Sequence, residues 1–334
     1  MSEVKDQLPH DSSRVSIGGC NRESYNSYFS YKTINDPIYG GIGLSELEVR
    51  LLDTRAMQRL RRIRQTGFLS YVFPSGEHSR FVHSLGVLYI MGRFCDHLYR
   101  KEKMSLKDLC ILRISALLHD VGHYPYSHLT EAVYSYQQPH ETVESFGVVK
   151  TGRKSLISKI ANKDKVKLVD HEHFGKYIIS NDPDINELLT TNGYNTKLIG
   201  DIITGECAIE EDSDGNRSTV YRQLMHSALD ADRMDYLLRD SMQTGVIFGK
   251  IDFNYIINSL TIVDDNYKQD SGDDKIKVVA VEARGQHAVE HYLMSRYFHY
   301  VQTIQHKTAV AFEAITKALL CKMLSSGESF IEPY

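Results

Sequence analysis

Between Ile114 and Glu131 the chain gathers His119-Asp120, His123, His128 and Glu131 around a Gly122-His-Tyr-Pro125 turn. An apolar run, Ile114-Ser-Ala-Leu-Leu118, ends in the His119-Asp120 pair. Such a pair can present an imidazole nitrogen and a carboxylate to one cation, and neither side chain is usually left unpartnered in a core. Two more residues, His83 and Asp232, stand in helical contexts where they are unusual. Taken singly, His83 reads as a core histidine bonded to backbone, and Asp232 as an N-cap or a partner of Arg239. Together with His119-Asp120 they predict a cage of two imidazoles and two carboxylates with positions left for water. That donor set suits a divalent Mn, Fe, Zn, Ni, Co or Mg ion rather than a thiophilic one. A cation so held lowers the pKa of bound water and supplies hydroxide near neutral pH.

Helices must position these groups. Ser45-Glu-Leu-Glu48 is a capping-box signature opening a helical region that runs to about Arg64. Ser79 is placed to cap a helix whose apolar positions Phe81, Leu85, Leu88, Met91, Cys95 and Leu98 recur every three or four residues, with His83 off that stripe. Ser105-Leu-Lys-Asp108 is a second capping box, leading into the helix that ends at His119; Ser127 restarts a short helix carrying His128 and Glu131. Asp170 caps a helix through Ser180 with His171 in its first turn. Further helices are predicted from Pro183, over Asn195–Gly205, over Thr219–Asp240 and from about Gln286 to Leu324. Strand-like runs at Tyr28–Ile34 with Ile42–Leu44, and at Ser259–Val263 with Ile276–Val281, predict two small hairpins. The expected class is mainly α with small β-hairpins. Residues 1–27 read as a flexible arm and 28–334 as one domain. Residues 136–169 read as a basic insertion, either a solvated loop or a phosphate-facing flap.

The 334 residues suffice for a large core, and a net charge of −4 gives no global basic field for nucleic acid. Five scattered cysteines without a Cys-x-x-Cys pair argue for a reducing compartment. No apolar run approaches the roughly 18 residues of a membrane span, and the N-terminus lacks a signal-peptide pattern. A soluble, cytoplasmic protein is expected.

Arg80-Phe-Val-His-Ser-Leu-Gly86, His119-Asp-Val-Gly-His123 and Asp232-Arg-Met-Asp-Tyr236 resemble the motifs of the HD-domain phosphohydrolases. With Ile34–Gly40, Gln58–Arg61, Tyr71–Pro74 and Gln305-His-Lys307, the resemblance narrows to the deoxynucleoside triphosphate triphosphohydrolases, over roughly residues 30–320. It implies an HD-domain helical fold, a metal tetrad of His83, His119, Asp120 and Asp232, and water attack at the α-phosphorus of a dNTP. His128 would protonate the leaving 5′ oxygen, with Glu131 three residues on orienting it, and His123 and His171 would assist. His173 and His140 compete for the role of His171. Arg80, Arg233 and Arg296 would meet the triphosphate, a second Mg would accompany the substrate, and Gln65, Tyr236 and Asp240 would hold the deoxyribose. Tyr300 and Ile304 depart from the family's base-side residues and leave base preference open. Asp53, Gln58 and Arg61 match a regulatory nucleotide site and equally suit a buried polar network. The resemblance also implies a homo-oligomer, dimer or tetramer, with a nucleotide activator. Two other readings stay open: an HD phosphohydrolase acting on another nucleotide or a nucleic-acid end, and a non-catalytic nucleotide-binding HD module.

Overall fold

The computed structural model describes residues 29–136, 170–207, 210–211, 217–266 and 275–326. The predicted N-terminal arm, His140 and nearly all of the predicted basic insertion lie outside these residues. Near the start, the Asp36 carboxylate accepts the amides of Ile38 and Tyr39 at 2.8 and 3.2 Å, closing a turn at Pro37. This turn joins β1 (Lys32–Asp36) to an antiparallel β2 (Gly40–Leu44). The expected single helix after Ser45 is instead α1 (Glu46–Leu52) and α2 (Arg55–Arg59), followed by a 3-10 turn over Leu60–Arg62. Ser45 and Glu48 complete the capping box, and Thr54 starts the new helix by accepting the Met57 amide.

The centre of the molecule is α3 (Arg80–Arg100) packed on α4 (Leu106–Leu118). Nearly every residue of α4 is buried, as its apolar run requires of a helix without a polar face. Its buried cation, Arg113, reaches across to Glu48 at 2.7 Å, so the buried charge is paired. Next come α5 (His128–Tyr136), α6 (His171–Asn181), α7 (Pro183–Thr191) and α8 (Thr196–Ile203). Asp170, Asp182 and Asn195 cap the last three through their side chains.

The stretch predicted as one helix from Thr219 divides because Asp230 accepts the Arg233 amide and opens a new helix. Hence α9 (Val220–Met225) precedes α10 (Ala231–Thr244), which ends at left-handed Gly245. After α11 (Phe253–Asn258), β5 (Leu260–Asn266) and β6 (Lys275–Val281) form the expected hairpin. A parallel bridge from Ser218 to Lys277 extends it into a four-stranded sheet with β3 (Glu210–Glu211) and β4 (Arg217–Ser218). The C-terminal helical segment is interrupted: α12 (Gln286–His299) passes through a π-helical turn at Tyr300–Ile304 before α13 (Lys307–Ser325). The fold is mainly α. None of the described helices is long and apolar enough to cross a membrane.

Candidate metal centre and histidine cluster

His83 comes from the first turn of α3, His119 and Asp120 from the end of α4, and Asp232 from the first turn of α10. One ligand atom from each of His83, His119 and Asp232 lies within 4.8 Å of the others. His83 Nε2 is 2.9 Å from Asp232 Oδ1, and His119 Nε2 is 3.9 Å from the same oxygen. Asp120 closes the group, with Oδ1 3.3 Å from His119 Nε2 and Oδ2 3.9 Å from His83 Nε2. Four side chains from three helices thus face one point.

Two observations test whether a cation fits there. His119 Nδ1 lies 2.8 Å from the Ala116 carbonyl, so that nitrogen carries the hydrogen, while Nε2 is buried without an aligned hydrogen-bond partner. Similarly, His83 Nδ1 is 2.7 Å from Asp235 Oδ2 and turns Nε2 toward the acids. A carboxylate or carbonyl behind each imidazole fixes the tautomer that a metal ligand needs. The residues fit a divalent cation.

Asp235 is itself built in. Arg239 donates to both its oxygens at 2.9 and 3.0 Å, the Tyr39 hydroxyl donates at 2.6 Å, and a further Arg239 nitrogen reaches Asp36 at 2.9 Å. Burial opposes ionisation, but the Arg239 charge and the His83 hydrogen bond hold the Asp235 carboxyl down at about 2. Burial also works against a charged His83, yet bonds to Asp232 and Asp235 raise its pKa to about 10. This network needs a glycine at position 86: a Cβ there would stand 1.8 Å from Asp235 Oδ1.

The second group surrounds Glu131. The Nδ1 atoms of His171, His128 and His123 stand 2.9, 3.1 and 3.6 Å from its carboxylate oxygens. Although burial opposes it, hydrogen bonds from His128 and His171 hold the Glu131 carboxyl well below its usual range. Burial likewise opposes a charge on His171, and Glu131 overcomes it, raising that pKa. Burial and then the Arg80 charge push His123 the other way, so it stays neutral. His128 is 69% exposed, whereas Glu131 behind it is 13% exposed. His128 follows Tyr126 and Ser127, both with left-handed backbone at φ 63 and 51, and this strained turn aims it outward. His173 binds Asp170 and Glu206 and takes no part in the Glu131 group.

Two contacts hold the loop between His119 and His128. Arg59 of α2 donates to the carbonyls of His123 and Val121 at 2.5 and 2.7 Å. Gly122 lies so near α6 that a Cβ would come 2.1 Å from the His171 carbonyl.

Several predicted substrate residues are already engaged. Buried Arg80 binds Asp120 at 2.7 Å and Ser127 at 2.8 Å, so it braces the centre. Arg233 pairs with Asp230, and Arg296 donates to the Ala228 carbonyl at 2.7 Å. Asp240 is buried between His299 and His78, each 2.8 Å from one of its oxygens. Tyr236 stacks on His299 with centroids 5.2 Å apart. Gln65 keeps a buried Oε1 without a hydrogen-bond partner, and Tyr300 is 53% exposed on the π-helical turn. Gln58 accepts from Arg61 at 2.7 Å, and Asp53 lines a recess of about 410 Å³ with Arg50, Arg55, Asp184 and Glu187. Sequence reasoning missed Asp235, Tyr39, His78, His299 and Arg59, and it offered Arg239 to Asp232 where the structure pairs it with Asp235 and Asp36. Of the missed residues only Asp235 carried a signal, standing three residues after Asp232 on a helix.

Residues 80–240 match the HD domain family model, and the chain belongs to the HD-domain superfamily. It is 33% identical over 292 residues to the uncharacterised protein MJ1154 of Methanocaldococcus jannaschii, covering 87% of this chain and 49% of that one. The deoxynucleoside triphosphate triphosphohydrolase SAMHD1 of Homo sapiens is 48% identical over 101 residues, 29% of this chain and 16% of that protein. Among solved structures, a phosphohydrolase (BT4208) of Bacteroides thetaiotaomicron superposes with a TM-score of 0.64 at 28% identity, covering 90% of this chain and 63% of that one. The chain spans about half the length of the first curated relatives it matches.

Proposed function

We propose that this protein hydrolyses deoxynucleoside triphosphates to deoxynucleoside and inorganic triphosphate, with water attacking the α-phosphorus. The observation that carries this reading is the convergence of His83, His119, Asp232 and Asp120, with His128 nearby and its Nδ1 3.1 Å from Glu131. The likeness to a triphosphohydrolase over 101 residues supports the substrate class.

His83, His119, Asp120 and Asp232 would hold a divalent cation, which when bound polarises phosphate and acidifies water. The rest falls to the chain's own side chains. His128 would give a proton to the leaving 5′ oxygen; Glu131, accepting from its Nδ1 at 3.1 Å, holds the imidazole in place. Neutral His123 and charged His171 flank that carboxylate and would meet phosphate oxygens. Arg233 and Arg296 are partly exposed and would turn to the triphosphate, whose negative charges need cations. The Tyr236 ring, backed by His299, would form the floor under the deoxyribose, and the unspent Gln65 Oε1 would accept a sugar hydroxyl.

The test is incubation with each dNTP and each rNTP, singly and mixed, across Mg, Mn and Co, with products resolved by chromatography. Inorganic triphosphate from dNTPs is the expected product. Nucleoside monophosphate with pyrophosphate, or equal turnover of rNTPs, overturns the reading and favours another nucleotide substrate.

A further inference from the structure

The Glu131 group has ligand chemistry of its own. Donor atoms of His123, His128, Glu131 and His171 all lie within 4.8 Å of one another. His123 is fully buried, its Nε2 3.2 Å from Asp120 Oδ1 of the first cage and its Nδ1 pointing toward Glu131 at 3.6 Å, which leaves Nδ1 as the nitrogen offered to this group. Its ring lies nearly parallel to His171, with centroids 3.8 Å apart and 16° between planes, so both present nitrogen edges to one carboxylate.

We propose that His123, His128, Glu131 and His171 form a second site, selective for late first-row divalent ions and zinc foremost, and that filling it switches off the proton donor. Tetrahedral zinc with bonds of about 2.0–2.1 Å sets neighbouring ligand atoms roughly 3.3 Å apart. No pair therefore needs to close by more than about 1.5 Å, and the exposed His128 ring is free to move. Three imidazoles and one carboxylate favour Zn, Cu, Ni or Co over Mg and Mn, which prefer oxygen. The oxygen-richer cage at Asp120 and Asp232 discriminates less against Mg and Mn. An imidazole whose lone pair is given to a dication is no longer an imidazolium and is a far weaker acid. Loss of turnover on adding zinc rests on the proposed hydrolysis; the binding itself does not.

Calorimetric titration with zinc chloride, nucleotide-free, separates the two. The expected result is two equivalents for the wild type and one for Asp232→Ala. His128→Ala takes the wild-type count from two to one, and Asp232→Ala combined with Glu131→Gln binds about tenfold or more weakly than Asp232→Ala. His128 is exposed, so its removal leaves the core intact. Magnesium chloride does not displace the second zinc. One equivalent in the wild type, or a second equivalent that survives His128→Ala unchanged, overturns the proposal whatever the substrate proves to be.

Discussion

At the scale of single residues, each candidate ligand is set by a neighbour that chooses its protonation or tautomer. Ala116 and Asp235 turn the Nε2 atoms of His119 and His83 to the same point. Asp232→Ala therefore loses the cation of that cage, read by elemental analysis of protein loaded with Mn, which the histidine-rich second group disfavours. By contrast, His128→Ala keeps the cation while turnover falls by about a hundredfold or more, read by triphosphate release. The pair Glu131–His171 carries a pH signature. Glu131 is depressed, so its contribution to stability is present above its ordinary value and lost as pH falls through the folded one. His171 is raised, so its contribution is fully present below its ordinary value and lost as pH rises through the folded one. Urea melts should show the wild type most stabilised over Glu131→Gln between about pH 4.5 and 6.5. The sequence made the histidines and acids legible because few residue types hold cations. It hid His78 and His299, since a buried histidine announces itself only through the acid it meets, here Asp240.

At the scale of elements, capping residues made most boundaries legible: Ser45, Ser105, Asp170 and Asn195 all accept amides at the helix starts they were expected to mark. Where the sequence reading ran too long, a local competitor intervened, as with Thr54 and Asp230, each of which starts a new helix inside an apolar pattern. Pairing of β6 with β4 was not legible, because a one-residue bridge between distant segments leaves no periodicity. The contact of α3 with α10 depends on a missing side chain. Gly86→Ala drives a Cβ against Asp235 and Arg239, so it should cost about 1–3 kcal/mol in a denaturant melt. It should also weaken metal binding through displaced His83, whereas alanine at neighbouring Val87 should leave metal affinity near the wild-type value.

Across the whole molecule, the mainly α class and the meeting of distant helices at one centre follow from helical patterning and a few polar intrusions. The described hydrophobic core is continuous from β2 to α12. A cation held by His83, His119, Asp120 and Asp232 would tie α3, α4 and α10 together. Stripping it with a chelator should lower the melting temperature, and adding Mn back should restore it. Differential scanning calorimetry with and without chelator checks this. An unchanged melting temperature would mean that the cage holds no cation worth counting.

The guanidinium of Arg59 makes α2 and the loop at His123 one mechanical body. That helix also carries Gln58, and the recess beside Asp53 opens at its N-terminal end. A molecule lodged in that recess and prising α2 away would have to tear two charged bonds from the loop. The pressure of such a visitor would arrive at His123 without crossing the core.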